Sequence, residues 1–155
     1  MSKFQSTKLF TGFSTVFRQW RAVHSHCQYL HGYDISFKVY FEGKLDKHNW
    51  VWDFGGTKYA TTTIDGMQPD KWMKYMFDHT TIIAADDPEL EEFKQLEKKG
   101  LIQLRIIPDV GAERFAEFIY KKLNPFVQEE TSRRVKIVKI EFFEHEKNSA
   151  IFLPD

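Results

Sequence analysis

The segment that most constrains the fold is residues 33–41, where apolar and polar side chains alternate. Successive side chains of a β-strand point to opposite faces, so the pattern predicts a strand with one buried face and one mixed face. Such a strand belongs to a sheet that is covered on its apolar side. The apolar positions are Tyr33, Ile35, Phe37, Val39 and Phe41.

Weaker patterns supply the other elements, and together they predict an α+β domain with a largely antiparallel sheet. Leu9, Phe13 and Phe17 share one parity of the first predicted strand. Asp109 is the expected N-cap of a long amphipathic helix that Pro125 is expected to end. A parity shift after residue 137 predicts a bulge or burial on both faces. Further strands are predicted at 9–17, 101–107, 135–143 and 149–153, and helices at 68–76, 86–99 and from 109 onward.

Length and charge narrow the function classes. The 155 residues suit one domain, 1–155, and the 22 basic residues equal the 22 acidic ones. Nucleic-acid binders normally carry a basic excess, so no nucleic-acid partner is expected. No apolar run is long enough for a membrane span, and the start of the chain does not look like a signal peptide. One cysteine fits a reducing compartment, so we expect a cytoplasmic protein.

The segment HSHCQYLHGYD places three histidines and the only cysteine within eight positions. The histidines are His24, His26 and His31, and the cysteine is Cys27. The spacing alone leaves three interpretations open: a metal site, a nucleophile or base whose pKa nearby imidazolium lowers, and an ordinary strand end.

Four other segments contain candidate residues that also have ordinary explanations. Asp78 lies next to His79, and a carboxylate in that position can orient an imidazole for acid–base chemistry. The pair is also typical of a loop. Asp53 suits a turn, and Glu113 in the first turn of a helix favours the helix dipole. Glu144 follows an apolar run near a strand end, where most glutamates are merely solvated.

Taken in order, these segments resemble the 6-pyruvoyl tetrahydropterin synthase and 6-carboxytetrahydropterin synthase family. FSTVFRQW is similar to the family's opening Phe-x-Ala-Ala-His-Arg-Leu, and CQYLHGYD to its Cys-x-x-x-His-Gly-His-Asn. NWVWDFGGTK, FDHTTI and EHEKNSAIF resemble its later motifs in the same order. The resemblance runs over residues 9–152, with an enlarged connection between Asp53 and Asp78.

The resemblance implies the tunnelling fold (T-fold), here expected as a four-stranded, largely antiparallel sheet with helices on one face. It also implies a lyase that acts on 7,8-dihydroneopterin triphosphate, in tetrahydropterin or 7-deazaguanine (queuosine) biosynthesis. Cys27 matches the general base, and Asp78 with His79 matches the proton relay. Glu144 matches the carboxylate that binds the pterin, and Glu113 corresponds less securely to a glutamate at the same pocket.

The resemblance does not extend to the zinc ligands of the family. The family holds zinc with three histidines, and two of those positions are Phe17 and Tyr33 here, so only His31 remains. We expect no metal ligands in the usual arrangement, since a catalytic zinc normally has three protein ligands. Two alternatives stay open: zinc is lost, or a relocated site forms from His24, His26 and His31.

The family also implies a homo-trimer or homo-hexamer with active sites at subunit interfaces. Two functions remain in competition. The first is an active lyase on a pterin. The second is a non-catalytic or repurposed protein that binds a pterin or purine without zinc.

Overall fold

The computed structural model describes residues 2–155 and is built on one six-stranded sheet. The strands are β1 Phe4–Phe17, β2 His31–Gly43, β3 Thr80–Ala84, β4 Leu104–Ile107, β5 Val135–His145 and β6 Asn148–Phe152. Their order in the sheet is β4-β3-β1-β2-β5-β6. The neighbours from β1 to β6 in this order pair antiparallel, while β3 runs parallel to both β1 and β4.

Four α-helices and one short 3-10 helix connect the strands. None of the helices among the described residues is long and apolar enough to cross a membrane. The helices are α1 Gly56–Tyr59, α2 Pro69–Phe77, α3 Leu90–Lys98 and α4 Ala112–Glu130, and the 3-10 helix is His26–Gln28.

The α+β class is confirmed, but the sheet has six strands rather than four. The strand that no sequence pattern indicated is β3. All five of its residues are buried, so it has no polar face and shows no alternation. A short strand buried on both sides cannot be recognised by a period of two.

The expectation of helices on one face is also wrong. Ile82 belongs to the main core, which contains α2 and α4 residues, whereas Ile83 packs with Phe93 of α3 and Leu104 of β4. Neighbouring residues in a strand point to opposite faces, so α3 covers the other side of the sheet at its β3–β4 edge.

A bulge in β1 changes which side chains reach the core. The pairing with β2 shifts register between Phe10 and Phe13, at Gly12 with φ of +90°. As a result Phe10 and Phe13 both stack on Phe37, at centroid distances of 5.3 and 5.6 Å. Leu9, which was expected to share a face with Phe13 and Phe17, is 51% exposed. The bulge predicted in β5 is confirmed, since the ladder passes from Lys139 to Ile137.

Both expected ends of the long helix are wrong. Its N-cap is Gly111, with φ of +136°, while Asp109 lies outside and faces Arg114 at 3.8 Å. Pro125 lies within α4, which continues to Glu130. Pro125 is exposed, so water can solvate the carbonyl that it leaves unpaired, and the next residues, Phe126 and Val127, are almost fully buried.

Phenylalanine is the commonest residue in the core. Ten of the fifteen Phe are buried, which accounts for much of the aromatic excess without a ligand or an interface. Phe77 contacts the rings of Phe13, Phe37, Phe115 and Phe142, at centroid distances of 6.0 to 6.4 Å. Such edge and tilted contacts add to the burial energy.

A buried ion pair fastens the end of β1 to the segment after β3. Arg18 donates two hydrogen bonds to Asp87, at 2.8 and 2.7 Å, and Asp87 is 5% exposed. Burial alone would raise the pKa of Asp87. The hydrogen bonds from Arg18 and from the Glu89 N–H, with the Arg18 charge, outweigh burial and lower that pKa.

Replacing Asp87 by Asn is expected to destabilise the protein by about 2–3 kcal/mol at pH 7, because Arg18 loses its partner but keeps some solvent contact. The native pKa of Asp87 is lowered, so this stabilisation is fully present above the unfolded pKa and is lost as pH falls below about 4. Urea unfolding at several pH values measures it.

The matched control is Asp86→Asn, which removes an exposed pair with Arg21 and should cost less than about 1 kcal/mol. Equal losses in the two variants at pH 7 would contradict a special role for the Asp87 pair.

Candidate functional site

Cys27 lies in an open pocket of about 350 Å³ between the end of β1 and the start of β2. The thiol is free and half-buried. The pocket contains a thiol, two imidazoles and two phenols, which are groups that move protons or donate hydrogen bonds. Its lining residues are His26, Cys27, Tyr29, His31 and Tyr33.

The loop around Cys27 is held by hydrogen bonds at several points. The Cys27 N–H donates to Ser25 Oγ at 3.1 Å, and its carbonyl oxygen accepts from the Gln19 N–H at 2.7 Å. Arg18, fixed by Asp87, also donates to the carbonyl of Gln28 at 3.4 Å. The thiol is therefore positioned by backbone contacts that tie its loop to β1.

The structure brings Glu144 to the same region through Tyr33. Glu144 is half-buried near the end of β5, where the pairing with β6 shifts register between Phe143 and His145. Partial burial raises the pKa of Tyr33, and the Glu144 charge, the proximity of Cys27 and a hydrogen bond from the phenol to Glu144 raise it further. Tyr33 is thus close to both groups. No salt bridge within residues 2–155 involves Glu144, so its carboxylate has the Tyr33 phenol as a neighbour and no cation that a ligand would have to displace.

Asp78 and His79 form the expected pair just before β3. Their side chains meet at 3.1 Å, Nδ1 to Oδ1, and Asp78 also accepts a hydrogen bond from the Ser14 N–H. That bond lowers the pKa of Asp78, and His79 and Lys74 lower it further. Partial burial acts in the opposite direction but is outweighed. His79 has φ of +58° and its side chain is 76% exposed.

Within one protomer this pair is separate from the thiol. The His79 N–H donates to the Ser14 carbonyl, while His31 at the pocket pairs with Phe17, three residues further along β1. Three strand residues span about 10 Å. The pocket that contains Cys27 is not lined by either Asp78 or His79.

Glu113 and Asp53 lie outside this pocket. Glu113 is exposed in the first turn of α4, and its carboxylate lies near Gly111 and the Gln19 side chain. A Cβ at residue 111 would be 3.4 Å from Gln19 Oε1, and its φ already favours glycine. The role expected for Glu113 stays a prediction. Asp53 accepts from the Gly55 N–H at 2.8 Å, which confirms it as a turn residue.

Aromatic rings occupy the positions where the family places two of its zinc ligands. Phe17 is fully buried and lies 5.3 Å from the His31 ring and 5.6 Å from the Tyr33 ring, centroid to centroid. Its other side meets Phe115 of α4 edge-on at 4.9 Å. A phenyl ring has no lone pair to donate, and it fills the space beside His31, so these residues do not fit zinc.

The relocated zinc site is not supported by the geometry. His24 lines a different pocket from the one that His26 and His31 share with Cys27. Within residues 2–155, no three histidine, cysteine, aspartate or glutamate side chains form a group that could hold a metal ion. Instead, His31 Nδ1 bonds to the Tyr29 carbonyl at 2.6 Å, as expected for a histidine fixed by a neighbour.

Sequence patterns missed three residues that shape the site. Gln19 lies between the Cys27 carbonyl and the start of α4, and Ser14 holds Asp78 through its backbone N–H. His145 stabilises the turn after Glu144 by accepting from the Lys147 N–H at 3.1 Å. Backbone contacts leave no residue-type signature, but the position of His145 next to Glu144 could have identified it.

We expect the purified protein to contain far less than one zinc per chain, because Phe17 cannot be a ligand. Added zinc should leave the Tm unchanged. Metal analysis after dialysis, with calorimetry, measures both. Stoichiometric zinc that disappears in His31→Ala, but not in a His48→Ala control in the distant loop, would contradict this.

Solved structures share this fold at low sequence identity. An uncharacterised protein from Wolinella succinogenes is 19% identical with a TM-score of 0.79, covering 100% of both chains. The 6-pyruvoyl tetrahydropterin synthase of Caenorhabditis elegans is 16% identical with a TM-score of 0.65, covering 100% of this chain and 98% of its own. The Plasmodium vivax enzyme is 14% identical with a TM-score of 0.62, covering 96% and 97%.

No curated protein matches the chain significantly. The family model described as 6-pyruvoyl tetrahydropterin synthase matches residues 7–155. That match spans nearly the whole chain, and the structures above agree with it in having the T-fold. The protein therefore belongs to the 6-pyruvoyl tetrahydropterin synthase family.

Proposed function

We propose that the protein is a cytoplasmic lyase that acts on 7,8-dihydroneopterin triphosphate or a related pterin, in tetrahydropterin or 7-deazaguanine (queuosine) synthesis. The observation that carries the proposal is the gathering of Cys27 and Tyr33 in one pocket, with Glu144 beside Tyr33. Family membership supports pterin chemistry at this position.

Glu144 has the chemistry to bind the pterin ring. A pterin presents adjacent N–H groups on one edge, and a carboxylate can accept two parallel hydrogen bonds from such an edge. Glu144 is half-buried and has no salt-bridge partner, so replacing its present contacts by a ligand costs little free energy. Bound in this way, the ring would place its side chain toward the Cys27 pocket.

Cys27 supplies the base. As a thiolate it would take a proton from a carbon of the pterin side chain, which forms the S–H bond and leaves the electron pair in the substrate. Asp78 and His79 supply the acid: the carboxylate orients the imidazole, which returns a proton to the other side of the side chain. Loss of triphosphate then follows without a net redox change.

The two parts meet between subunits in this proposal. The exposed His79 and the Cys27 pocket lie apart along β1 of one protomer. A homo-trimer, or a hexamer of two trimers, would bring His79 of one subunit to the pocket of another. The protomer's sheet ends in two edge strands, β4 and β6, which suit pairing with further copies.

The second candidate is a protein that binds a pterin or purine without turnover. The observation in its favour is the replacement of two zinc-ligand positions by Phe17 and Tyr33. Loss of a Lewis acid that lowers the barrier by several kcal/mol would slow the family reaction by orders of magnitude. Assays of turnover and of binding separate the two candidates.

Replacing Glu144 by Gln should weaken pterin binding about 10- to 100-fold, since a charged acceptor is worth about 1.5–3 kcal/mol. Cys27→Ala should leave binding intact and lower the rate by about 10² or more. Ligand fluorescence measures affinity, and mass spectrometry of dihydroneopterin triphosphate incubations measures turnover.

Glu146→Gln is the control for Glu144, because Glu146 is exposed two residues away. If wild type makes no product with or without zinc, and Cys27→Ala changes nothing, the lyase assignment fails. Binding that depends on Glu144 without turnover would then favour the second candidate.

Mixing inactive Cys27→Ala and His79→Ala subunits should restore activity if each site takes the two residues from different subunits. Random assembly at equal amounts should give roughly a quarter of the wild-type rate. The variants are co-refolded or co-expressed and assayed beside each variant alone. No recovery in verified mixed oligomers would place both residues of a site in one subunit.

A further inference from the structure

Tyr33 is held in the Cys27 pocket by rings on several sides. Its ring centroid lies 5.0 Å from His31, at an interplanar angle of 87°, and 5.6 Å from Phe17. His145, next to Glu144, lies 6.0 Å away. These contacts, and its place at the start of β2, fix the direction of the phenol. A hydrogen-bond donor fixed in this way needs little reorganisation to act on a ligand.

The surroundings also keep the phenol protonated. Partial burial raises the pKa of Tyr33, and Glu144 and Cys27 add to the effect. A tyrosine whose pKa lies above 10 carries its proton at neutral pH and donates a hydrogen bond. In the free protein the phenol donates that proton to Glu144, and a pterin ring that occupies Glu144 would leave the phenol free to donate to the substrate oxygen.

We propose that Tyr33 is a catalytic hydrogen-bond donor that polarises the oxygen on the first side-chain carbon of the pterin, so that the reaction needs no metal. The proposal rests on the proposed function and adds a role for a residue at a position where the family places a zinc ligand. It predicts that this site selects pterins with an oxygen on that carbon.

The step that Tyr33 assists is proton removal by Cys27. The C–H bond next to the ring breaks and the S–H bond forms. The electron pair left on carbon forms a C=C bond to the ring, the π pair of the adjacent C=N bond moves onto the ring nitrogen, and that nitrogen takes up a proton from solvent. The O–H of Tyr33 stays bonded to its own oxygen and donates to the substrate oxygen. It thereby withdraws charge from the neighbouring carbon and acidifies its C–H.

The neighbours of Tyr33 are less suited to this role. Phe17 has no donor. His31 uses Nδ1 to bond the Tyr29 carbonyl, so in the neutral imidazole Nε2 carries no proton and can only accept. Tyr29 is 63% exposed, and a solvated phenol stabilises developing charge less than one in a drier site.

The test compares Tyr33→Phe with Tyr40→Phe. Tyr40 lies on the same strand with the opposite parity, against Lys38 and Lys139, so the control removes a hydroxyl from β2 outside the pocket. Two dihydropterins serve as probes. One carries a keto oxygen on the first side-chain carbon, and the other carries a methyl group at the same ring position.

Tyr33→Phe should weaken binding of the keto pterin about two- to tenfold, which corresponds to one hydrogen bond, and leave binding of the methyl pterin unchanged. Tyr40→Phe should change neither. In turnover, Tyr33→Phe should lower kcat about 10²-fold and raise KM by no more than the two- to tenfold loss of binding, and chelators should not affect wild type. Thermal unfolding confirms that both variants fold.

Equal effects of Tyr33→Phe on the two probes, or no effect on either, would overturn the proposal. So would turnover by wild type that requires added zinc. These binding outcomes do not depend on activity. If the wild-type protein binds neither pterin, both the proposed function and the role of Tyr33 fail. If the wild-type protein binds the keto pterin but Tyr33→Phe affects both pterins equally, only the role of Tyr33 is refuted.

Discussion

The contact between Phe17 and Phe115 connects the core to the site. Phe17 ends β1, is fully buried, and meets Phe115 of α4 edge-on at 4.9 Å. The same ring supports His31 and Tyr33, which line the Cys27 pocket. The floor of the pocket is therefore part of the hydrophobic core, whose packing is as dense as that of an organic crystal.

This arrangement changes what holds the site rigid. Three metal ligands, the arrangement that the family resemblance implied, would fix one another through a shared ion. Here the aromatic contacts, and the Arg18–Asp87 pair that secures the Cys27 loop, supply the order instead. Rigidity that comes from packing depends on shape, so isosteric changes such as loss of a single hydroxyl leave it intact.

Periodicity in the sequence predicted the elements that have one buried face. β2 and the α4 stripe follow this rule, because each has a covered side and a solvated side. β3 is buried on both faces and carries no such signal. The bulge at Gly12 moved Leu9 out of the core, and burial of Phe126 and Val127 carried α4 past Pro125. Tertiary packing decided both outcomes.

The order of the motifs was enough to find the residues of the candidate site. It could not predict how far apart these residues lie in the folded chain. Cys27 and Glu144 are distant in sequence and come together because β2 and β5 are neighbours in the sheet. His79 matches its motif as closely as Cys27 and Glu144 match theirs. Its backbone hydrogen bond to Ser14 nevertheless holds it at a different point along β1 from the Cys27 pocket. Which face, and which end of a strand, a loop residue reaches depends on sheet topology.

The second hydrophobic cluster gives the sheet an edge of lower local stability. Ile83, Phe93 and Leu104 form a small group of buried residues, separate from the main core. Segments with few buried contacts open at a lower free energy than the whole molecule. The α3–β4 edge is therefore expected to open at a lower free energy than the main core. Because Asp87 lies just before α3 and Arg18 also lies 5.9 Å from the Phe93 ring centroid, opening of this edge would loosen the ion pair that secures the Cys27 loop.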